Sequence, residues 1–256
     1  MHITCAAGTD QGVVRAINED YHLMRVDRGV FIVADGMGGH AAGEVASEMA
    51  VQIIDDQLGA FRELSDAEIA ARLFSAIQSA NGAIFRRTLV EEEKRGMGTT
   101  ATVMLLFPSR YLIGQVGDSR AYVLRGKRLH QITRDHSYVQ EQVDAGLLTP
   151  EQARTHPYGN VITRCVGSNE EVVPDIYFGA LEEGDIVLLA SDGLTGMLED
   201  QQLEQILLGD GEPDQWVQAM INDANRRGGL DNITLILVRI DSLDNPGKNN
   251  GSGLDG

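Results

Sequence analysis

Cysteine is nearly absent: Cys5 and Cys165 are the two in 256 residues. Neither belongs to a CxxC pair, which removes a structural zinc site and a dithiol redox motif from consideration. Both are expected to be unpaired structural thiols, because free cysteine behaves as a small buried hydrophobe. Long apolar runs are also missing, and no window approaches the roughly 18 apolar residues of a membrane span. The opening MHITCAAGTDQG has neither the basic start nor the apolar stretch of a secretory leader, so a cytoplasmic location is the default expectation. Basic residues are few beside acidic ones, 21 Lys and Arg against 38 Asp and Glu, for a net charge of −17. Such a balance argues against non-specific attraction to nucleic acid or to an anionic membrane.

What is present is ordinary globular material, 43% apolar and 23% charged, enough to build a substantial core at this length. The stretch from Asp244 to Gly256, DNPGKNNGSGLDG, is too rich in Gly, Asn, Asp and Pro to contribute to one. The simplest reading is a single domain over 1–241 and a flexible tail or linker over 242–256. No coiled-coil or exposed apolar repeat demands assembly, so a monomer is expected.

Helices are signalled by caps and by apolar spacing near 3.6. Ser65-Asp-Ala-Glu68 forms a capping box ahead of Ile69, Leu73, Ile77 and Ile84, predicting a helix to about Leu89. A second helix is expected after Gly43, with Val45, Met49, Ile53 and Leu58 on its apolar face. Others are expected over Tyr138 to Gly146, from Thr149-Pro150-Glu151, over Asp200 to Leu208 and over Asp214 to Arg226. Short β-branched or apolar runs predict strands at Val30 to Ala34, Thr99 to Phe107, Tyr111 to Val116, Ala121 to Leu124, Leu129 to Ile132, Asp185 to Ala190 and Asn232 to Ile240. The turn-rich Gly117-Asp118-Ser119 and Gly126-Lys127 suggest successive hairpins. Antiparallel sheets covered by helices are therefore expected, not a regular parallel βαβ alternation.

Aspartates recur where strands end. Val30 to Ala34 runs into Asp35-Gly36-Met37-Gly38-Gly39-His40, Leu112 to Val116 into Gly117-Asp118-Ser119-Arg120, and Val187 to Ala190 into Ser191-Asp192-Gly193; Asp231-Asn232 precedes another strand. Carboxylates leaving apolar strands in this way can converge on one rim, where only cations would hold them together. Oxygen donors without Cys favour Mg²⁺ or Mn²⁺ over Zn²⁺. Taken singly, Asp-Gly is a common turn dipeptide, and His40 and Arg15 read equally well as surface groups. Gly36 to Gly39 fits neither the GxxxxGK[ST] nor the GxGxxG phosphate loop, which argues against nucleotide binding. In Arg15-Ala-Ile-Asn-Glu-Asp20 a cation precedes two carboxylates, a conceivable phosphate anchor beside a metal site.

Together these residues resemble the metal-dependent protein phosphatases of type 2C in their bacterial Ser/Thr form. The resemblance is carried in order by RAINED at 15–20, VADGMGGH at 33–40, GMGTTATV at 96–103, VGDSRAYVLRGKRLHQITRDHS at 116–137, ITRCVG at 162–167, LLASDGL at 188–194 and DNITLILV at 231–238. It implies an α+β fold, a central sandwich of two antiparallel sheets flanked by helices on both sides, four layers in αββα order. It also implies two core Mg²⁺ or Mn²⁺ ions and a third, weaker one in some bacterial members. By resemblance Asp35 bridges two ions, Asp192 and Asp231 complete the first, the Gly36 carbonyl serves the second, and Asp118 holds the third. Glu19 and Asp20 would hold metal-bound waters, Arg15 would grip the substrate phosphate, and His40 would be the general acid. A flap that shapes substrate access would span about 137–161.

The implied activity is hydrolysis of phosphoserine and phosphothreonine esters by direct attack of a metal-bridging hydroxide, with Cys5 and Cys165 dispensable. Phosphorylated proteins would be the partners, and a cognate serine/threonine kinase the counterpart in signalling. Two other readings stay open: a catalytically silent phosphoprotein-binding module of the same fold, and a hydrolase of a small phosphorylated metabolite.

Overall fold

The structure, a computed structural model, describes residues 1–38 and 42–243. Along the chain run β1 (His2–Asp10), β2 (Asp20–Arg25), β3 (Val30–Met37), α1 (Ala42–Leu58), α2 (Asp66–Val90), β4 (Gly98–Thr99), β5 (Ala101–Phe107), β6 (Arg110–Val116), β7 (Arg120–Arg125) and β8 (Arg128–Gln131). They are followed by α3 (Tyr138–Asp144), α4 (Pro150–Arg154), β9 (Asp175–Ala180), β10 (Ile186–Ala190), α5 (Asp192–Thr195), α6 (Asp200–Leu208), α7 (Pro213–Arg226) and β11 (Ile233–Ser242). One sheet has the order β1-β11-β10-β7-β8, the other β2-β3-β5-β6-β9 with β4 beside β3, and the pairings are antiparallel.

Alternation along the strands decides the layers. In β3, Phe31 and Val33 face the other sheet, while Val30, Ile32 and Ala34 face α1 and α2. In β10, Val187 and Leu189 enter the space between the sheets, while Ile186, Leu188 and Ala190 pack beneath α6 and α7. Both faces of each central strand are therefore covered, which is why these strands read as continuous apolar runs. The result is the expected four-layer αββα sandwich. Among the described residues no helix is long and apolar enough to cross a membrane.

The capping box of α2 is present, and Ile69, Leu73, Ile77 and Ile84 are all buried. The buried face of α1 differs from expectation. Ala46, Ser47, Ala50, Val51 and Ile54 are buried, whereas Val45, Met49 and Ile53 flank them at the edge of the core. Small side chains let the helix axis approach the sheet closely, so packing overrides the simple ranking of hydrophobicity. A larger correction concerns Gly117-Asp118-Ser119. It is not a hairpin, because β6 belongs to one sheet and β7 to the other. Gly117 has φ +103°, and a Cβ there would lie 2.5 Å from the Thr100 side chain, so the chain turns sharply through a space only glycine fits. Gly126-Lys127 does join a true hairpin, β7 to β8.

Strands β1, β2 and β9 are additional to those expected. Apart from Ser242 and Leu243, the expected tail lies outside the described residues.

Candidate active site

Register brings the acids together. Asp20 at the start of β2 sits opposite Asp35 near the end of β3. In the other sheet Ala190, the last residue of β10, pairs with Leu235 of β11 on one side and Arg120 of β7 on the other. Asp192, Asp231 and Asp118 therefore leave their strands at the same end of that sheet. The main chain of Asp35 is clamped: its N–H donates to Thr100 Oγ1 at 2.9 Å, and its carbonyl accepts from the Thr100 N–H at 2.8 Å and the Thr99 hydroxyl at 2.9 Å.

Negative charge is concentrated here and only partly compensated. Burial, then the negative charges of Asp20, Asp192 and Asp118, hold the Asp35 carboxyl well above its ordinary pKa, and it shares a hydrogen bond with Asp192. Burial and Asp231 raise Asp192, while the bond to Asp35 and the cations Arg15 and Arg120 pull the other way. Asp118 is raised by burial and by Asp192 and Asp135. Burial first, then Asp192 and Asp231, push Asp20 up to about 8 despite bonds from Thr234 and Ser191.

Three carboxylate oxygens, Asp20 Oδ1, Asp118 Oδ1 and Asp192 Oδ1, are buried with no hydrogen-bond partner. Orphaned anionic oxygens crowded together are costly in a folded protein. A divalent cation is the partner that fits an all-oxygen donor set. Among the described residues no three His, Cys, Asp or Glu side chains already stand at the mutual spacing of a finished coordination sphere. The fit therefore rests on the orphaned oxygens and the convergent charge.

The surrounding groups are fixed in place. Asn232 accepts the Glu19 N–H at 2.8 Å and donates to the carbonyls of Gln11 and Ile17 at 2.8 and 2.9 Å, pinning the loop that carries Arg15. Glu19 Oε1 accepts the Gly43 N–H at 3.1 Å at the start of α1, and Ser47 donates to the Glu19 carbonyl at 2.6 Å. Gly36 and Gly43 are required there, since a Cβ on Gly36 would meet the Gly43 and Glu19 carbonyl oxygens at 2.2 and 2.4 Å. Ser191 donates to Asp20 Oδ2 at 2.8 Å and accepts the Thr234 N–H at 2.9 Å. Arg15, half-exposed at the mouth, donates to Asp231 Oδ2 at 2.6 Å. Behind Asp118, Arg120 forks onto both oxygens of Asp135 and donates to the Tyr122 hydroxyl at 3.0 Å. His136 Nδ1 accepts the Gly117 N–H at 3.1 Å, its Nε2 stands 3.1 Å from Arg164 Nη1 and 3.3 Å from Asp175 Oδ2, and burial first of all lowers its pKa.

The structure thus gathers Arg15, Glu19, Asp20, Asp35, Gly36, Asp118, Asp192 and Asp231 at one rim. His40 lies outside the described residues. Sequence reasoning did not single out Asn232, Ser191, Thr100, Arg120 or His136. Each stands within one of the quoted motifs, but its role depends on partners far away along the chain. Both cysteines are unpaired, and burial pushes the Cys5 thiol up to about 12, consistent with a structural part.

The sequence profile of protein phosphatase 2C matches residues 7–231. The protein phosphatase PhpP of Streptococcus pneumoniae serotype 2 is 38% identical over 244 residues, covering 92% of this chain and 97% of that protein. The serine/threonine phosphatase stp of Listeria monocytogenes serotype 4b is 39% identical over 240 residues, covering 91% and 94%. The catalytic domain of the serine/threonine protein phosphatase PstP, solved in complex with two manganese ions, superposes with a TM-score of 0.83 at 35% identity, covering 94% of this chain and 99% of that one. Matching over nearly its whole length in sequence and fold, this chain belongs to the protein phosphatase 2C family.

Proposed function

We propose that this chain hydrolyses phosphoserine and phosphothreonine esters on proteins, using Mg²⁺ or Mn²⁺ held by Asp35, Asp192, Asp231 and the Gly36 carbonyl, with Asp118 serving a third ion. The observation that carries this reading is the set of buried, unpartnered oxygens on Asp20, Asp118 and Asp192 within one group of mutually repelling carboxylates. PstP, with its two manganese ions, supports the choice of metal class. When bound, the ions would lower the pKa of a coordinated water and neutralise charge on the phosphoryl oxygens.

The protein's own groups do the positioning. Arg15 stands at the mouth on Asp231 and offers further guanidinium donors to a phosphoryl oxygen, a geometry suited to an oxyanion. Glu19 and Asp20 would order water, and their main chain and carboxylates are steadied by Asn232, Gly43 and Ser191. Protonation of the departing seryl or threonyl oxygen is assigned to His40 by the family resemblance. Neither cysteine takes part, so no thiol nucleophile or covalent phosphoenzyme is required. A serine/threonine kinase acting on the same proteins is the implied counterpart.

The test is turnover of a phosphothreonine peptide, an aryl phosphate and small phosphorylated metabolites at equal concentration, with Mn²⁺ and with chelator. Metal-dependent hydrolysis that favours the peptide is expected. Preference for a metabolite, or binding of the peptide without turnover, would replace this reading.

A further inference from the structure

A cavity of about 880 Å³ opens beside the carboxylate cluster. It is lined by Asp118 and Asp192, by residues of α3 and α4 and of the stretch 155–160, and by residues of the segment from Thr195 to Gln201. Asp118, one of its lining residues, is only 6% exposed and carries a partnerless Oδ1. The space thus reaches two acids of the cluster, while Arg15 and Asp231 are not among its lining residues.

The charge of the walls is uneven. Beyond Asp118 and Asp192, four carboxylates line the cavity, Asp135, Glu151, Glu199 and Asp200, against two guanidinium groups, Arg120 and Arg154. Arg120 is fully engaged by Asp135 and Tyr122. Arg154 reaches Glu199 loosely, at 3.9 Å. Among the described residues Glu151, on α4, and Asp200, at the start of α6, have no cation partner, and both are exposed. Asp200 accepts the Tyr122 hydroxyl at 3.2 Å, which orients it without neutralising it. Val139, Val143 and Pro150 add an apolar strip, suited to the methylene stem of a long cationic side chain.

We infer that this groove receives the substrate polypeptide next to the phosphorylated residue and selects Lys or Arg there, through Glu151 and Asp200. The inference rests on the phosphoprotein phosphatase reading and names its substrate class. Two partly exposed charge pairs steer and discriminate more than they bind, so the preference is electrostatic and weakens with salt.

The test compares kcat/KM, with Mn²⁺, for three phosphothreonine peptides identical except for basic, neutral or acidic flanks, with an aryl phosphate as reference. At low salt the basic peptide should exceed the acidic one by about fivefold or more, from two partly exposed pairs. High salt should compress that ratio. Glu151→Gln combined with Asp200→Asn should bring it to within about twofold of unity, since the attraction is then gone, while aryl phosphate turnover is unchanged. A control, Glu183→Gln combined with Asp210→Asn, removes the same net charge at exposed positions away from the cavity and should leave the ratio intact. Glu151→Gln alone, at an exposed helix position, should halve the preference if the double variant fails to fold.

Equal turnover of all three peptides by the unaltered protein would overturn the inference and leave the phosphatase reading standing. Equal loss of preference in the control would also overturn it, by tracing the effect to net charge. Failure to hydrolyse any phosphopeptide while the aryl phosphate is cleaved would remove the phosphoprotein reading, and this inference with it.

Discussion

The two ends of β10 hold aspartates in opposite circumstances. Asp185, just before the strand, is 1% exposed, yet its oxygens accept from Arg125 at 3.0 and 2.6 Å and from the Glu182 N–H at 2.8 Å. Asp192, just after the strand, has a partnerless Oδ1 and faces Asp35, Asp118 and Asp231. One carboxylate brings its cation in the chain; the other is short of positive charge. The difference teaches how to tell a structural acid from a functional one: burial is shared, and counter-charge separates them.

Replacing each aspartate should split activity from stability. Asp192→Asn is expected to cut metal-dependent turnover by about a thousandfold or more, since it removes charge from an ion that stabilises the transition state. Its metal-free melting temperature should hold or rise, because a like-charge contact is relieved. Full activity, or a collapsed fold, would break the comparison. Chelation of the unaltered protein should likewise abolish turnover and lower the melting temperature, because an ion that binds only the folded state stabilises it by mass action. Turnover that survives thorough chelation would end the metal reading.

Asp185→Asn should do the reverse. It leaves Arg125 half-satisfied and should cost about 2–3 kcal/mol, discounted because Arg125 is 35% exposed, with turnover per folded molecule unchanged. Denaturant melts with activity measured on the same sample decide this.

The metal-free protein should also respond to acid in an unusual direction. Asp20, raised by burial and by its acidic neighbours from an ordinary 3.8 to about 8, holds a proton in the folded state that the unfolded chain has lost. Its stability contribution is present below the unfolded value and is lost as pH rises through about 8. Metal-free melting temperature should therefore climb as pH falls from 8 toward 5, and saturating Mn²⁺ should flatten the trend. His22 and His136, whose burial lowers their pKa, oppose this as pH falls through the ordinary histidine range. Asp175 and Asp241, held low despite burial by Arg164 and His136 and by Thr4 and Arg239 respectively, oppose it only below the usual carboxylate range. The raised acids Asp20, Glu19, Asp35, Asp118 and Asp192 outnumber them. A metal-free melting temperature that falls steadily over that interval would contradict the charge-starved cluster. The smallest effect is expected from Cys165→Ser, which should leave turnover within about twofold, since the thiol has no chemical task.

Much of the scaffold was readable because hydrophobic period and capping are local. The α2 capping box, Pro150 at the start of α4 and the apolar runs of β3, β5, β10 and β11 announce themselves within a few residues. Strand β1, HITCAAGTD, did not, because it is only partly buried and carries few strongly apolar side chains, and β9, DIYFGA, offers only the short run Ile176 to Phe178, none of it fully buried. Strand β2, DYHLMR, owes its existence largely to pairing with β3. The misread hairpin at Gly117 shows the same limit. A turn dipeptide reports that the chain bends, and not which sheet receives the next strand.

For the site, residue types and their order along the chain were enough to nominate the acids and the family. Their partners were not, since Asn232 reaching Glu19 and Ser191 reaching Asp20 join positions that only strand pairing brings near. Local chemistry is written in neighbouring residues, so caps, apolar faces and candidate ligands follow from the sequence alone. Which acids remain without a cation depends on register and sheet crossing, long-range contacts whose energies no short segment contains.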